Sequence, residues 1–444
     1  MDAETEALLD RLTARIDELE AENRSLRARL DEAEAAAARQ AAPFRRRDQR
    51  KVDPAERKRP GRPAGHPGIR RAVPDRVDDR AEVPLDGCPG CGGPVDDVAP
   101  IVRYIEEIEP ARPRVTRLVT YRGSCPRCGP VHSAHPLQTA PGPGGSAVRL
   151  GPRALAAAAQ LNKRHGLTMR TACAVLRDLA GLRLSPGGLA QALRRAAAKV
   201  EPEYDRLKER VRGAAAVFAD ETSWWVGGPG WWLWTFTCDA ATVYAVEPGR
   251  GSSVVTGMLG DDFAGMLVSD CLSCYDPPPY RKHKCIAHHQ RAIAAARASP
   301  EGRGSAYLLR WKWLLTCVAA LARARPAMGP RGFEAERARL ESATDRLLSE
   351  PTASRAEEGV RNRLEKQRAH LLGCLHEPAA EATNNRAERS LRPAVIARKL
   401  SCGNKTESGK HCWEVLASLA ETCRQTGEDF VSWLAPKLAA VPPG

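Results

Sequence analysis

No stretch of the sequence approaches 18 consecutive apolar residues, so no transmembrane helix is expected. The N-terminus, MDAETEALLD, lacks the positive and apolar regions of a secretory signal. The chain is therefore expected in a reducing cytoplasm, where its 14 cysteines read as metal ligands or buried thiols rather than disulfides. No GxxxxGK[ST] loop occurs, so nothing points to a nucleotide cofactor. Acids are in deficit: 54 Asp and Glu face 68 Lys and Arg, a formal charge of +14 that points to a polyanionic partner. At 444 residues the chain exceeds what one core can bury, and about three domains are expected.

Residues 1–36 read as a coiled-coil dimerisation helix. Leu9, Leu12, Ile16, Leu19, Asn23, Leu26 and Leu30 alternate spacings of three and four, and Asn23 falls at an a position, the substitution that favours a parallel dimer. The alternative is a single amphipathic helix. A basic arm follows over 44–80: Phe44–Val73 holds eleven Lys and Arg against three acids. Within it, Lys58, Arg59 and Arg62 around Gly61 resemble an AT-hook core that lies in a narrow minor groove, or equally a solvated linker touching phosphates. Residues 81–140 read as a zinc ribbon. Cys88 and Cys91, then Cys125 and Cys128, form two C-x-x-C knuckles each followed by glycine, a thiolate set for one tetrahedral structural Zn²⁺. Strands over Ile101–Ile108 and Arg114–Tyr121 are expected between them. Residues 148–213 read as helices, a possible DNA-binding domain with helix-turn-helix character or a packing scaffold.

A catalytic domain is expected over 214–444. AAAVFADETSWW (Ala214–Trp225) reads as a buried strand ending on two acids. A GGPG turn separates it from a strand at Trp231–Cys238, and another follows at Ala241–Pro248. A helix over Ser252–Phe263 leads to a fourth strand, Gly265–Asp276, carrying Asp270, and Cys285–His288, after RKHK, reads as a fifth short strand leading into a helix. Three strands, a helix and a fourth strand open a ribonuclease-H-like fold, in which the first and fourth strands lie side by side and their acids converge. A charged helical insertion spans about 299–378. Beyond it Asn384 or Thr383 caps a helix on which Asn385, Glu388 and Arg392 share a face, with Pro393 expected to kink or end it. Cys285, His288 and Asn385 are read as supporting the site rather than binding metal. The fold class is thus multidomain α/β: coiled coil, zinc ribbon, helical region and a ribonuclease-H-like mixed-sheet core with a helical insertion.

ADETSWW, LVSDCLSCYD, CIAHHQRA and NNRAERSLRPAVIARKLSCGNKTESG resemble the catalytic blocks of bacterial insertion-sequence transposases of family 66, and the zipper, KRPGRPAGHPG arm and paired knuckles extend the resemblance over nearly the whole chain. It implies an Asp-Asp-Glu triad of Asp220, Asp270 and Glu388 that cleaves element ends and joins them to target DNA, with helper proteins of the same element. One departure is His289, where a leucine is expected. Three close carboxylates repel unless cations hold them, and hard oxygens select two Mg²⁺ or Mn²⁺ ions. Arg386, Arg389, Arg392, Arg398 and Lys399 are expected at the phosphates flanking the cut. The expected partners are DNA and a second copy of the chain, with no membrane, in a bacterial, nucleoid-associated setting. The competing readings are a DNA-binding regulator with a silent core, and a nuclease without strand transfer.

Overall fold

The computed structural model describes residues 15, 18–23, 25–26, 71–108, 111–139 and 148–439. Its contacts divide the chain into two units, 1–108 and 109–444.

In the first unit the described residues of the zipper segment are helical and exposed, and Arg15 pairs with Glu18 at 2.5 Å. The arm residues Lys58, Arg59 and Arg62 lie outside the described residues. The first knuckle is a tight turn. The Gly92 amide donates to the Cys88 carbonyl and the Cys88 amide to the Gly93 carbonyl, both at 2.8 Å. Backbone N–H groups of Gly90 and Cys91 aimed at the sulfur hold the Cys88 thiol below its ordinary pKa.

The second unit begins with a hairpin of β1 (Arg122–Cys125) and β2 (Gly129–His132), paired Arg122↔His132 to Cys125↔Gly129. The second knuckle is its turn, and amides of Cys128 and Arg127 lower the Cys125 thiol in the same way. The strands expected over 101–108 and 114–121 do not form. Ile101, Ile105, Ile108 and Val115 stay exposed. Alternation makes a strand only where one face finds something to bury it, and among the described residues these side chains find none.

Four helices follow: α1 (Pro152–Ala159), continued by a π-turn, α2 (Met169–Ala180), α3 (Pro186–Lys199) and α4 (Glu201–Arg212). Leu155, Leu176, Leu189, Leu193 and Leu207 on them join one core with Val217, Trp234 and Phe236 of the sheet. These helices pack on one sheet face. The Arg194 side chain is turned onto Ser408 at 3.3 Å, and Arg195 is exposed.

The sheet is mixed: β3 (Ala216–Trp224), β4 (Trp231–Thr237), β5 (Thr242–Glu247), helix α5 (Ser252–Leu259), β6 (Met266–Ser269) and β7 (Arg281–Lys284), in spatial order β5-β4-β3-β6-β7. β3, β4 and β5 form an antiparallel meander, and β6 and β7 run parallel to β3 on its other side. Gly227 and Gly230, at φ +63° and +94°, make the β3–β4 turn that other residues adopt at a cost. β6 is shorter than expected. The chain leaves the ladder at Asp270, whose Oδ1 accepts from the Leu272 amide at 2.8 Å, and Ser273–Tyr275 form a 3-10 turn.

After β7 come α6 (Ile286–Ala298), then the inserted helices α7 (Ala306–Ala324), α8 (Pro330–Ser349), α9 (Arg355–Lys366) and short α10 (Arg368–Leu371). Trp311, Leu315, Leu364 and Leu375 of this segment share a second core with Phe218 and Val268, on the face opposite α1–α4. The chain closes with α11 (Asn385–Ser401), α12 (Glu407–Thr426) and α13 (Phe430–Leu438). Pro393 does not end α11, which runs eight residues further while burying Leu391, Ala394 and Ala397. That packing offsets the one backbone hydrogen bond a proline removes.

α12 also closes the sheet edge. The N–H groups of β5 that face away from β4, at Thr242, Tyr244 and Val246, donate to Thr422 Oγ1, Ser418 Oγ and Glu414 Oε1 at 3.1, 2.9 and 2.6 Å. Residues four apart on one helix face thus satisfy every second residue of an edge strand that would otherwise template further pairing. Among the described residues no helix is long and apolar enough to cross a membrane.

Candidate active site at the carboxyl ends of β3 and β6

β3 and β6 pair in parallel as Ala216↔Met266, Val217↔Leu267 and Phe218↔Val268. Two residues further along each strand path stand Asp220 and Asp270. The period-2 pleat puts Asp220 on the Phe218 face, and neighbouring strands are about 4.8 Å apart. Here the strand order reverses, with β4 and β5 added on one side of β3 and β6 and β7 on the other, a position where ligands collect in α/β sheets.

α11 brings Glu388 to the same place. Its N-cap residue, Asn384, is fully buried and sends Nδ2 to the Ala219 carbonyl at 2.8 Å, while its amide donates to Cys285 Sγ at 3.2 Å. One turn on, the Glu388 amide donates to the Asn384 carbonyl at 3.1 Å. Thr235, paired opposite Asp220 in β4, meets Ser390 at 3.1 Å, so α11 lies over this stretch of the sheet. Side-chain contacts at two successive turns therefore fix where Glu388 projects.

The electrostatics register the convergence. Asp220 is pushed up to about 8, first by burial, then by repulsion from Glu221 and Asp270 and more weakly from Glu388, outweighing the Glu221 amide that donates to its Oδ1. A carboxyl in that state holds a proton at neutral pH unless a cation replaces it. His288 lies in the field of both Asp270 and Glu388, yet burial and Arg291 keep it below its ordinary pKa. Arg291 stands 4.0 Å from Glu388. Cys285 is fully buried and its thiol raised, first by burial.

Neighbouring acids are already engaged. Glu221 points to the opposite sheet face, where Arg250 donates from Nε and Nη2 to its Oε1 at 2.9 and 2.6 Å and the Tyr275 hydroxyl donates to Oε2. Asp276 pairs with the fully buried Lys284 at 2.9 Å. Burial alone would raise the Asp276 carboxyl, but Lys284, Gln367 and Lys366 together hold it below its usual range.

Several residues expected at the site are placed differently by their contacts. Asn385 is exposed, and its predecessor Asn384 makes the internal ties. Arg398 donates to Thr222 Oγ1 at 2.9 Å and to both oxygens of Ser223, and Arg386 pairs with Glu381 at 2.9 Å over the Phe218 ring. Both thus fasten α11 to its surroundings. Arg389, Arg392 and Lys399 are exposed. Of the tryptophans, Trp224 and Trp234 are core, and Trp224 sends Nε1 to Asn404 at 2.8 Å. Tyr275, Arg250 and Lys284 carry no signal in the sequence, and Asn384 stands out there only as an N-cap candidate. Only the position of Asn384 before the helix hints at its part.

Among the described residues no three His, Cys, Asp or Glu side chains are gathered closely enough to hold a metal ion as they stand. The family model "Transposase IS66 family" matches residues 147–411, more than half of the chain. The chain belongs to the IS66 transposase family. The match takes in Asp220, Asp270 and Glu388 and stops within α12. Among relatives, "Uncharacterized protein y4qI" of Sinorhizobium fredii is 27% identical over 301 residues, 61% of this chain and 55% of that protein. "Uncharacterized protein y4jD" of the same organism is 26% identical over 401 residues, 80% of this chain and 75% of that one. The chain thus spans about half the length of the first and three quarters of the second.

Proposed function

We propose that this IS66-family chain is a DDE transposase, with a ribonuclease-H-like core in which Asp220, Asp270 and Glu388 carry out cleavage of element ends and their joining to target DNA. The observation that carries this is the level placement of Asp220 in β3 and Asp270 just past the end of the adjacent parallel β6, with Glu388 near enough to add to the repulsion on Asp220. The strand order and the helical cover on both faces support the core assignment.

The donor set fits a hard divalent cation by its chemistry: all oxygen, mutually repelling, with one carboxyl driven towards protonation by burial and by the neighbouring acids. It does not yet fit by closeness. Glu388, 42% exposed and loosely paired to Arg291, is the carboxylate with freedom to swing in. When bound, two Mg²⁺ or Mn²⁺ ions supply activation of water or a 3′-hydroxyl and charge neutralisation at the leaving oxygen. The chain's own residues do the rest. Asn384 holds α11 against β3, Arg250 and Tyr275 keep Glu221 turned away, and exposed Arg389, Arg392 and Lys399 receive phosphates.

By their spacing, Cys88, Cys91, Cys125 and Cys128 would hold one structural Zn²⁺, and the lowered Cys88 and Cys125 thiols suit that role. Lys58, Arg59 and Arg62 would grip DNA outside the core, and the zipper would pair two copies. Helper proteins of the element would complete the assembly, in the cytoplasm at the nucleoid. The test is incubation of purified chain with a labelled duplex bearing the inverted repeat beside its gene, a target plasmid and Mg²⁺. Labelled joint molecules are the expected product. Cleavage without joining would favour a nuclease, and binding alone a regulator.

A further inference from the structure

The exposed side chains of α11 beyond Glu388 are not distributed evenly. Arg389, Arg392, Ile396, Lys399 and Leu400 fall within a stripe about 100° wide at 100° per residue, and Glu388 lies at its margin. Ile396 and Leu400 are 50% and 57% exposed, one turn apart, on a helix whose other apolar side chains are mostly packed. Arg389, Arg392 and Lys399 take no ion-pair or hydrogen-bond partner among the described residues, unlike Arg386 and Arg398 on the flanks. No acid lies between Arg389 and Ser401.

We propose that this stripe is the track of the DNA flanking the cut, and that Ile396 and Leu400 wedge against its bases. The inference rests on the transposase reading above and adds how the substrate is held. Charge complementarity selects the occupant: three unpaired cations beside a carboxylate cluster match a phosphate chain leaving the site. Two aliphatic side chains among them gain nothing from hydrated phosphates. They bury surface only against the apolar faces of bases, as wedges do when they part a base step and bend the duplex. Ile396 and Leu400 lie eight and twelve residues past Glu388, about 12 and 18 Å at 1.5 Å per residue. At about 3.4 Å per base step this is three to five steps from the scissile phosphate.

The experiment uses the full chain and a duplex of the terminal inverted repeat with one 2-aminopurine stepped through its first ten base pairs. Wild type is expected to brighten the probe at a position three to five steps from the cut. The double variant Ile396→Ser/Leu400→Ser, exposed and outside the core, is expected to keep its melting temperature, lose the brightening and join ends about tenfold more slowly. Brightening that persists in the double variant, or that wild type never produces while it cuts and joins normally, overturns the wedge and leaves the transposase reading standing. If the variant unstacks DNA normally but loses joining only when other proteins of the element are added, the face belongs to a protein partner and the wedge is also overturned. Wild type that neither cuts nor joins takes down the reading beneath it, and the wedge with it.

Discussion

At the scale of single residues, acids around the same end of the sheet occupy different electrostatic states, and those states separate their roles. Asp220 is pushed up to about 8 by burial and by other acids, whereas Asp276 is held low by its lysine. Asp220→Asn, Asp270→Asn and Glu388→Gln are each expected to lower strand transfer by about three orders of magnitude or more, because ligand positions act as a unit. Each should leave end binding intact or slightly tighter, since a negative charge near phosphates is gone. Gel-shift and joining assays on the same preparations check this, and joining retained by Asp220→Asn would mean the wrong carboxylates are named. The neighbours behave otherwise. Asp276→Asn leaves the Lys284 ammonium, fully buried, without its carboxylate, a loss of about 1–3 kcal/mol given that Asp276 itself is partly solvated. Glu221→Gln breaks up the fork from Arg250 and the Tyr275 bond at a cost of about 2–3 kcal/mol. Both variants should therefore melt earlier by calorimetry yet join ends at rates within about tenfold of wild type when assayed well below that temperature. Melting unchanged from wild type would contradict these pairings.

At the scale of elements, the decisive joint is between α11 and β3. Asn384 is a buried N-cap residue that turns its side chain away from its own helix to hold the Ala219 carbonyl, the residue before Asp220. Asn384→Ala is expected to cut joining by about 10–100-fold with end affinity nearly unchanged, since a misplacement near 1 Å is enough for that loss. Single-turnover cleavage against binding measured by anisotropy separates the two. Equal losses in both would make Asn384 merely structural. Beyond the joint, Gly403 lets the following loop approach β3, because a Cβ there would stand 2.4 Å from the Trp225 carbonyl oxygen. The first three strands of the sheet are legible in the sequence almost to the residue, whereas β6 ends seven residues before the expected Asp276. WWLWTFT and TVYAVE are β-branched or aromatic, short, and bounded by a GGPG turn and a CDAA connection that leave little choice of ends. The fifth strand forms one step earlier than expected, on RKHK, and Cys285–His288 instead caps and opens α6. The segment 101–121 misleads, because IVRYIEEI and RVTRLVTY show alternation but its apolar side chains have no opposing face among the described residues. Asn384 is legible as an N-cap but its tie to β3 is not, for a different reason. Adjacent asparagines look alike in sequence, and only the 2.8 Å contact to β3 distinguishes the buried one. The arginines of α11 are equally alike on paper, and a surface position is what separates Arg389 from Arg398.

At the scale of the whole molecule, charge is unevenly distributed along the chain. Of a formal +14, a net +8 falls within Phe44–Val73, outside the segment the family model covers. Most of the sequence-independent attraction to DNA should therefore reside in the arm, and the core should add few phosphate contacts beyond Arg389, Arg392 and Lys399. Each neutralised phosphate contributes about −0.9 to the slope of log affinity against log salt. Removing Lys58, Arg59 and Arg62 together as alanines should flatten that slope by about 2–3 units and weaken end binding strongly at 100 mM salt. Joining rates measured with saturating enzyme should stay within a few-fold of wild type, because no catalytic carboxylate is touched. Removing Arg389, Arg392 and Lys399 instead should flatten the slope by a similar amount but also slow joining at saturation, since Arg389 and Arg392 lie within about one turn of Glu388 and Lys399 continues the same face. The two triple variants thus separate capture from positioning. A salt slope unchanged by the arm substitutions would mean that Lys58, Arg59 and Arg62 never meet phosphates. In that case the positive charge of the arm serves solubility or self-association, and capture of the element ends falls to the core alone.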